Sequence, residues 1–320
     1  MKIVLLERDS VGADVDVSCY DQLGQVTAYA NTTTEQEVRD RTRDAEVIIA
    51  NKAPLTERAL EEAGQLKLIC ILATGYDNCD VAWCRDKGIR VCNVVNYSTA
   101  MVAQHTITLA LCLTQKIVHY DRYVKSGAYS AQKGFSNFAE PFHELEGKTW
   151  GIVGLGNIGS RVAAIASALG CRVIHHSLTG RARPCAYAQV DKAALLAESD
   201  ILSLHCPLSG LSCHFLNDEA FDQMKPTACL INVARGPVVD QQALCRALDQ
   251  GKIAGAALDV MEKEPLPADD GLLRIQDSGR LIITPHLAWA SVEARERCVQ
   301  GVYENIRAYL RGESHNVVNG

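Results

Sequence analysis

One stretch constrains the fold of this chain more than any other: Thr149-Trp150-Gly151-Ile152-Val153-Gly154-Leu155-Gly156-Asn157-Ile158-Gly159. A short β-forming run leads into G-x-G-x-x-G, and an alanine-rich segment, 161–169, follows and stops at Gly170. In a strand–turn–helix unit, Gly154 permits the tight turn. Gly156 lets a pyrophosphate reach the backbone, and Gly159 lets the helix press on the strand. N–H groups at the helix start then face the anion. The unit predicts a dinucleotide site in a doubly wound sheet.

The rest of the chain repeats the pattern of short β runs alternating with helical segments, the signature of parallel sheets covered by helices. Early β runs are 2–7, 46–51, 66–72 and 90–93, with helices predicted over 34–43 and 56–63, the latter capped by Thr56 and stopped at Gly64. One long helix is expected over 99–125, crossing between domains, and an extended loop over 126–146. A second series follows at 149–153, 172–176, 200–205, 228–233, 255–259 and 281–284, with helices over 240–250 and 291–311. Six strands match two mononucleotide-binding halves. With 320 residues the length prior is two domains. The fold class expected is α/β, with two doubly wound parallel-sheet domains and the active site in the cleft between them. Residues 1–99 with 287–320 make the smaller, flavodoxin-like, substrate-binding domain, and 100–286 the Rossmann cofactor domain.

Composition removes several classes of function. Thirty-two basic against 38 acidic residues leave a net charge of −6, which argues against a nucleic-acid surface. The apolar run at the N-terminus is too short for a signal peptide. The apolar stretch 100–118 is broken by Gln104, His105, Thr106, Thr108, Thr114, Gln115 and Lys116, so no membrane partner is expected. Thirteen scattered cysteines with no C-x-x-C pair read as reduced core residues of a cytoplasmic protein, with a catalytic thiol as the alternative and no metal site.

Cofactor choice turns on Ser177. It stands where an Asp would hold a ribose 2′-hydroxyl, and no Asp or Glu occurs from 147 to 190. Without that carboxylate a 2′-phosphate is not repelled, and Arg181 or Arg183 could grip one. This leans toward NADP(H) over NAD(H). The alternative is that these arginines are solvated around an NAD site that tolerates Ser177.

Three strand ends carry the remaining chemistry: Asn232-Val233-Ala234-Arg235-Gly236, Asp259-Val260-Met261-Glu262-Lys263-Glu264-Pro265, and Thr284-Pro285-His286-Leu287-Ala288. Ligands of open α/β sheets bind at such ends. Arg can take a carboxylate in a bidentate fork, and His, with Glu beside it, can exchange a proton with a hydroxyl or carbonyl.

With these motifs in order, and with the Ala73-Thr74-Gly75-Tyr76-Asp77-Asn78 loop before them, the chain resembles the D-isomer-specific 2-hydroxyacid dehydrogenases over nearly its whole length. The resemblance implies that His286 is the general acid/base, Glu264 its partner, and Arg235 the group that binds the substrate carboxylate and polarises the C2 carbonyl. It places the carboxylate on the backbone at Thr74 and Gly75. Cofactor contacts would fall at Thr106, Asn157, Ile158, Cys206, Pro207, Val233, Ala234, Asp259 and Ala288. Asn51-Lys52-Ala53-Pro54-Leu55-Thr56, Val102-Ala103-Gln104-His105-Thr106 and Pro285-His286-Leu287-Ala288-Trp289-Ala290 look most like glycerate dehydrogenases or hydroxypyruvate reductases. Trp289 would then roof the substrate pocket, or else plug the space between domains, and Lys52 would contact substrate or lie solvated at an edge. The alternatives are a D-lactate or branched D-2-hydroxyacid dehydrogenase and, from another class, a nucleotide-sensing corepressor-like protein. A homodimer through 99–146 is implied by resemblance only.

Overall fold

The computed structural model describes residues 1–181 and 184–320; the expectation for Arg183 lies outside the described residues. The chain divides into two units, Met1–Ser98 with Trp289–Gly320, and Thr99–Ala288.

The first unit is built on five parallel strands, β1 (Lys2–Leu5), β2 (Gln25–Ala28), β3 (Val47–Ala50), β4 (Leu68–Ile71) and β5 (Arg90–Cys92), in the order β2-β1-β3-β4-β5. That is the flavodoxin-like doubly wound order. Strands β3 and β4, Val-Ile-Ile-Ala and Leu-Ile-Cys-Ile, are buried at every residue, as inner strands of a parallel sheet covered on both faces must be. Strand β2 was not among the expected runs. Its Gln-Val-Thr-Ala lies at the edge with no buried residue, so it carries no continuous apolar signal. The helix Glu35–Thr42 starts in a capping box between Thr34 and Glu37, and Thr56 caps the helix Glu57–Leu60. The last helix, Val292–Leu310, capped by Ser291, returns the chain to this unit and packs on β4. A Cβ at Gly301 would sit 2.5 Å from a Val94 methyl, which shows how closely that helix lies.

The second unit has seven parallel strands: β6 (Thr149–Val153), β7 (Arg172–His176), β8 (Ala188–Gln189), β9 (Ile201–Leu204), β10 (Cys229–Asn232), β11 (Gly255–Leu258) and β12 (Leu281–Ile283). Their order is β12-β11-β10-β9-β6-β7-β8, so direction of winding reverses between β6 and β9, the switch point of a dinucleotide-binding sheet. Helices Thr99–Thr114 and Asn157–Ala168 bury Leu109, Leu113, Val162 and Ala166 on one face of the sheet. On the other face, Lys192–Glu198, Asp218–Gln223 and Gln241–Asp249 bury Leu195, Phe221 and Leu244.

Two expectations are corrected. The segment 99–125 is not one helix. Thr99–Thr114 ends in a tightened turn, Lys116 N donating to Leu113 O, and Lys116 adopts the left-handed conformation with φ 54° before Ile117–Lys125 begins. Its ammonium is taken up by Glu140 rather than by helix neighbours. The loop 126–146 contains a single helical turn, Ala128–Ala131, and leaves Phe135 and Phe138 89% and 85% exposed. Among the described residues no helix is long and apolar enough to cross a membrane. All thirteen cysteines are thiols.

Candidate active site

The glycine turn separates into two kinds of position. A Cβ on Gly154 (φ 89°) would lie 3.0 Å from the Cys206 N and the His205 carbonyl, and one on Gly159 would lie 2.2 Å from the Gly154 carbonyl oxygen. The protein's own packing demands both glycines. Gly156 is different: no atom lies within 4 Å of its Cβ position, and as N-cap of the helix Asn157–Ala168 it has no side chain with which to cap the first turn. Space for a Cβ that the sequence leaves unfilled, at a helix start, is what a pyrophosphate meeting backbone N–H groups would need. Cys206-Pro207 closes one side of the turn, at the contact that forbids a side chain on Gly154. At the end of β7, half-buried Ser177 lies 3.5 Å from the Thr179 hydroxyl, and Arg181 is exposed three residues beyond Leu178. The described residues there hold no carboxylate. Under the turn, burial pushes the His205 imidazole down to about 3, so it stays neutral.

Arg235 follows β10 on a turn fixed by one side chain. Asn232, 1% exposed, accepts from Ala234 N at 3.0 Å and donates to Arg235 O at 3.0 Å. Arg235 Nη1 donates to Ala234 O at 2.8 Å. The next residue must be glycine, because a Cβ on Gly236 would sit 1.9 Å from Met261 O. The loops after β10 and β11 therefore touch, Gly236 against Met261, and the second of them carries Glu264, which pairs with His286. In that pair, His286 Nδ1 donates to Glu264 Oε2 at 2.6 Å, while Glu264 Oε1 accepts from Met261 N at 3.0 Å. Both carboxylate oxygens are used, and the pair remains accessible, His286 25% and Glu264 32% exposed. Nδ1 is committed to Glu264, so proton exchange with a ligand would run through Nε2.

His286 is seated by Asp259, at the end of β11. Asp259 Oδ1 accepts from Thr284 Oγ1 at 2.6 Å and Leu287 N at 2.9 Å, Oδ2 accepts from Ala288 N at 2.8 Å, and Asp259 O accepts from His286 N at 2.8 Å. These bonds hold His286 at φ 53°, in the left-handed region that side chains seldom adopt. Burial alone would raise the Asp259 carboxyl; hydrogen bonds from His105, Thr284 and the two amides outweigh it and hold the group below the usual carboxylate value. Asp259 was expected as a cofactor contact. The structure shows it 0% exposed, with both oxygens engaged by the protein. Thr106 is also buried, its hydroxyl donating to Val102 O at 2.8 Å.

The remaining expected residues belong to the other unit. Thr74 Oγ1 donates to Val94 O, and Asn93 Nδ2 to Thr74 O, which pins the Thr74-Gly75 loop to the chain after β5. Lys52 is exposed on a loop whose amides at Asn51, Lys52 and Ala53 all donate to the buried Glu7 carboxylate, at 2.7–2.9 Å. Trp289 is half-buried, with its ring edge-on to Tyr97 at 6.2 Å. Sequence reasoning did not single out Asn232, Glu7 or His105 for these jobs. Asn232 had a signal, a side-chain amide at a strand end before a turn. Glu7 and His105 act across 44 and 179 residues, and periodicity carries no trace of that.

Comparison with known proteins gives a consistent neighbourhood. The profile described as "D-isomer specific 2-hydroxyacid dehydrogenase, NAD binding domain" matches residues 107–288. A hydroxypyruvate reductase of Blautia hydrogenotrophica is 35% identical, with 100% of both chains covered. A glycerate dehydrogenase of Methylorubrum extorquens is 36% identical over 99% of this chain and 98% of its own. Among solved structures, an acyclic imino acid reductase in complex with NADPH and D-Arg superposes with a TM-score of 0.88 at 31% identity, over 99% of this chain and 100% of that one. A D-lactate dehydrogenase of Aquifex aeolicus complexed with NAD and lactic acid gives 0.86 at 29% identity, over 100% and 99%.

Proposed function

We propose that this chain, which belongs to the D-isomer-specific 2-hydroxyacid dehydrogenases, is an oxidoreductase that reduces hydroxypyruvate and glyoxylate to the corresponding 2-hydroxy acids. The observation that carries the reading is the grouping of Arg235, Glu264 and His286 after β10, β11 and β12 of the sheet that bears the glycine turn. The names of its relatives support the substrate class.

The reduced nicotinamide, when bound, supplies a hydride for C2 of the 2-oxo acid. Gly154, Gly156, Asn157, Ile158 and Gly159 would hold its pyrophosphate, with Cys206, Pro207, Val233, Ala234 and Ala288 around it and buried Thr106 and Asp259 behind. Arg235 pairs with the substrate carboxylate through its planar fork and stabilises the negative charge growing on the C2 oxygen. Charged His286 gives that oxygen the Nε2 proton and is left neutral, its Nδ1 proton still on the ring and hydrogen-bonded to the Glu264 carboxylate, so the alcohol forms without free alkoxide. In oxidation, neutral His286 takes the hydroxyl proton. Thr74, Gly75, Lys52 and Trp289 are assigned to the substrate by resemblance.

Three finer assignments complete the reading. The cofactor is NADP(H) in preference to NAD(H), supported by Ser177 at the carboxylate position and by Arg181. The enzyme is a homodimer through 99–146, supported by Phe135 and Phe138 left bare. It works in the cytoplasm, supported by thirteen thiols and no disulfide. The test is a panel of hydroxypyruvate, glyoxylate, pyruvate and 2-oxoisocaproate with NADPH and NADH. Highest kcat/KM for hydroxypyruvate or glyoxylate is expected. A clear preference for pyruvate or 2-oxoisocaproate would make it a D-lactate or branched-acid enzyme, and an NADH preference of about tenfold (about 1.4 kcal/mol) would overturn the cofactor assignment.

A further inference from the structure

We propose that His105, on the helix Thr99–Thr114, is a positioning residue for the proton-transfer step: through Asp259 it holds the backbone that aims His286. The inference rests on the dehydrogenase reading above but concerns a residue outside its active-site set.

The argument is one of proton placement. His105 is 8% exposed, and its Nε2 lies 3.2 Å from Thr284 Oγ1 and 3.5 Å from Asp259 Oδ1. The Thr284 hydroxyl has one proton, and it goes to Asp259 Oδ1 at 2.6 Å. Thr284 Oγ1 therefore meets His105 as an acceptor, and so does the carboxylate. His105 must carry its proton on Nε2 and donate it into this pair.

The same carboxylate takes the amides of Leu287 and Ala288, and the Asp259 carbonyl takes the amide of His286. A continuous set of hydrogen bonds thus runs from the helix, through the ends of β11 and β12, to the residue in the left-handed conformation. Asp259 is buried, and a buried carboxylate keeps its place only if its oxygens are satisfied. Take away the His105 donor and Oδ1 retains Thr284 and Leu287 alone. The cost falls on the loop that these bonds position.

The Arg235 turn is held separately, by Asn232. Loss of His105 should therefore disturb proton delivery more than carboxylate binding, a split between kcat and KM that general loosening of the unit would not give.

The experiment compares His105→Phe, His105→Gln and His105→Asn in the full-length enzyme, with hydroxypyruvate and reduced cofactor. Phe keeps the volume without a donor; the Gln amide reaches the Nε2 position; the Asn amide stops near Nδ1. Because small misplacement of a catalytic group costs up to about 100-fold, H105F and H105N are expected to lose about 10- to 100-fold in kcat. KM should shift by less than about threefold. H105Q is expected to recover most of the loss. Cofactor binding and melting temperature confirm that each variant is folded. If H105F does not fold, H105N against H105Q carries the test, with the same kcat loss expected in H105N alone at steady KM.

Wild-type kcat in H105F or H105N, no recovery in H105Q relative to them, or a loss confined to KM overturns the proposal. A wild-type protein that reduces no 2-oxo acid defeats the dehydrogenase reading instead, so the two failures are distinct.

Discussion

His286 donates its Nδ1 proton to Glu264 across 2.6 Å, from a backbone held at φ 53°. The short contact fixes which ring nitrogen faces Glu264, and the unusual backbone angle is flanked by hydrogen bonds to Asp259, with the His286 amide shared between Asp259 O and Thr284 O. In the proposed role of proton donor, a side chain with one nitrogen committed and its main chain clamped would have little freedom to lose on reaction, which is what preorganisation requires.

The first prediction concerns that pair. Glu264→Gln keeps the size of the side chain but removes the charge facing the imidazolium, and kcat for reduction should fall about 10- to 100-fold. The pH profiles should run in opposite senses. Reduction uses the protonated imidazole, so its rate falls as pH rises; oxidation uses the neutral form and rises with pH. Steady-state rates in both directions across pH 5–9 check this, and parallel profiles would remove His286 from the acid/base role.

Asp259 gives a prediction about stability. Its carboxyl is held below the usual value of about 3.9, so the unfolded state takes up its proton first as pH falls. The stabilisation is complete above about pH 4 and is lost as acid protonates the folded form. Asp259→Asn should lower the melting temperature at neutral pH by roughly 4–8 °C, from about 2 kcal/mol of charge-assisted hydrogen bonding. The gap between wild type and D259N should stay constant over pH 5–8 and close below about pH 4. A gap that widens in acid would contradict the assignment.

Gly156 and Gly159 should answer differently to the same change. A Cβ at Gly159 meets the Gly154 carbonyl oxygen at 2.2 Å, so Gly159→Ala should destabilise by about 1–3 kcal/mol or more. A Cβ at Gly156 meets nothing, so Gly156→Ala should melt near wild type while cofactor affinity drops about tenfold or more. Differential scanning calorimetry beside cofactor titration separates the two. Equal destabilisation by both would mean that Gly156 serves packing alone.

Much of this was legible in the sequence, for reasons that differ by residue. The run 149–153 coincides with β6 because a strand buried at every residue writes an unbroken apolar or β-branched signal, and 172–176 coincides with β7 although only Val173 and Ile174 carry that signal between Arg172 and two histidines. Strand β2 and the two-residue β8 did not show, since edge strands need no such run. The break at Lys116 was missed because the apolar spacing continues across it, and its left-handed turn is stabilised from Glu140, outside the helix. His286 and Glu264 were marked by their motifs, but what orients them was not. Asp259 read as a cofactor contact, and its grip on the His286 loop depends on two parallel strands, β11 and β12, ending side by side.

In the proposed reading, Ser177 sets the preference for NADP(H). Ser177→Asp restores a carboxylate where an adenosine ribose would be met, repelling a 2′-phosphate and accepting from a 2′-hydroxyl. The ratio of kcat/KM for NADPH over NADH should fall about tenfold or more, equivalent to about 1.4 kcal/mol. An unchanged ratio would place cofactor choice elsewhere.

The most direct test follows absorbance of the reduced cofactor while hydroxypyruvate is added to purified wild-type protein and to His286→Ala, with chiral analysis of the product. Wild type is expected to consume one cofactor per D-glycerate formed, and H286A to turn over about 10²–10⁴ times more slowly with cofactor affinity retained. Turnover by H286A near the wild-type rate, or an L-product, would contradict the mechanism at its centre.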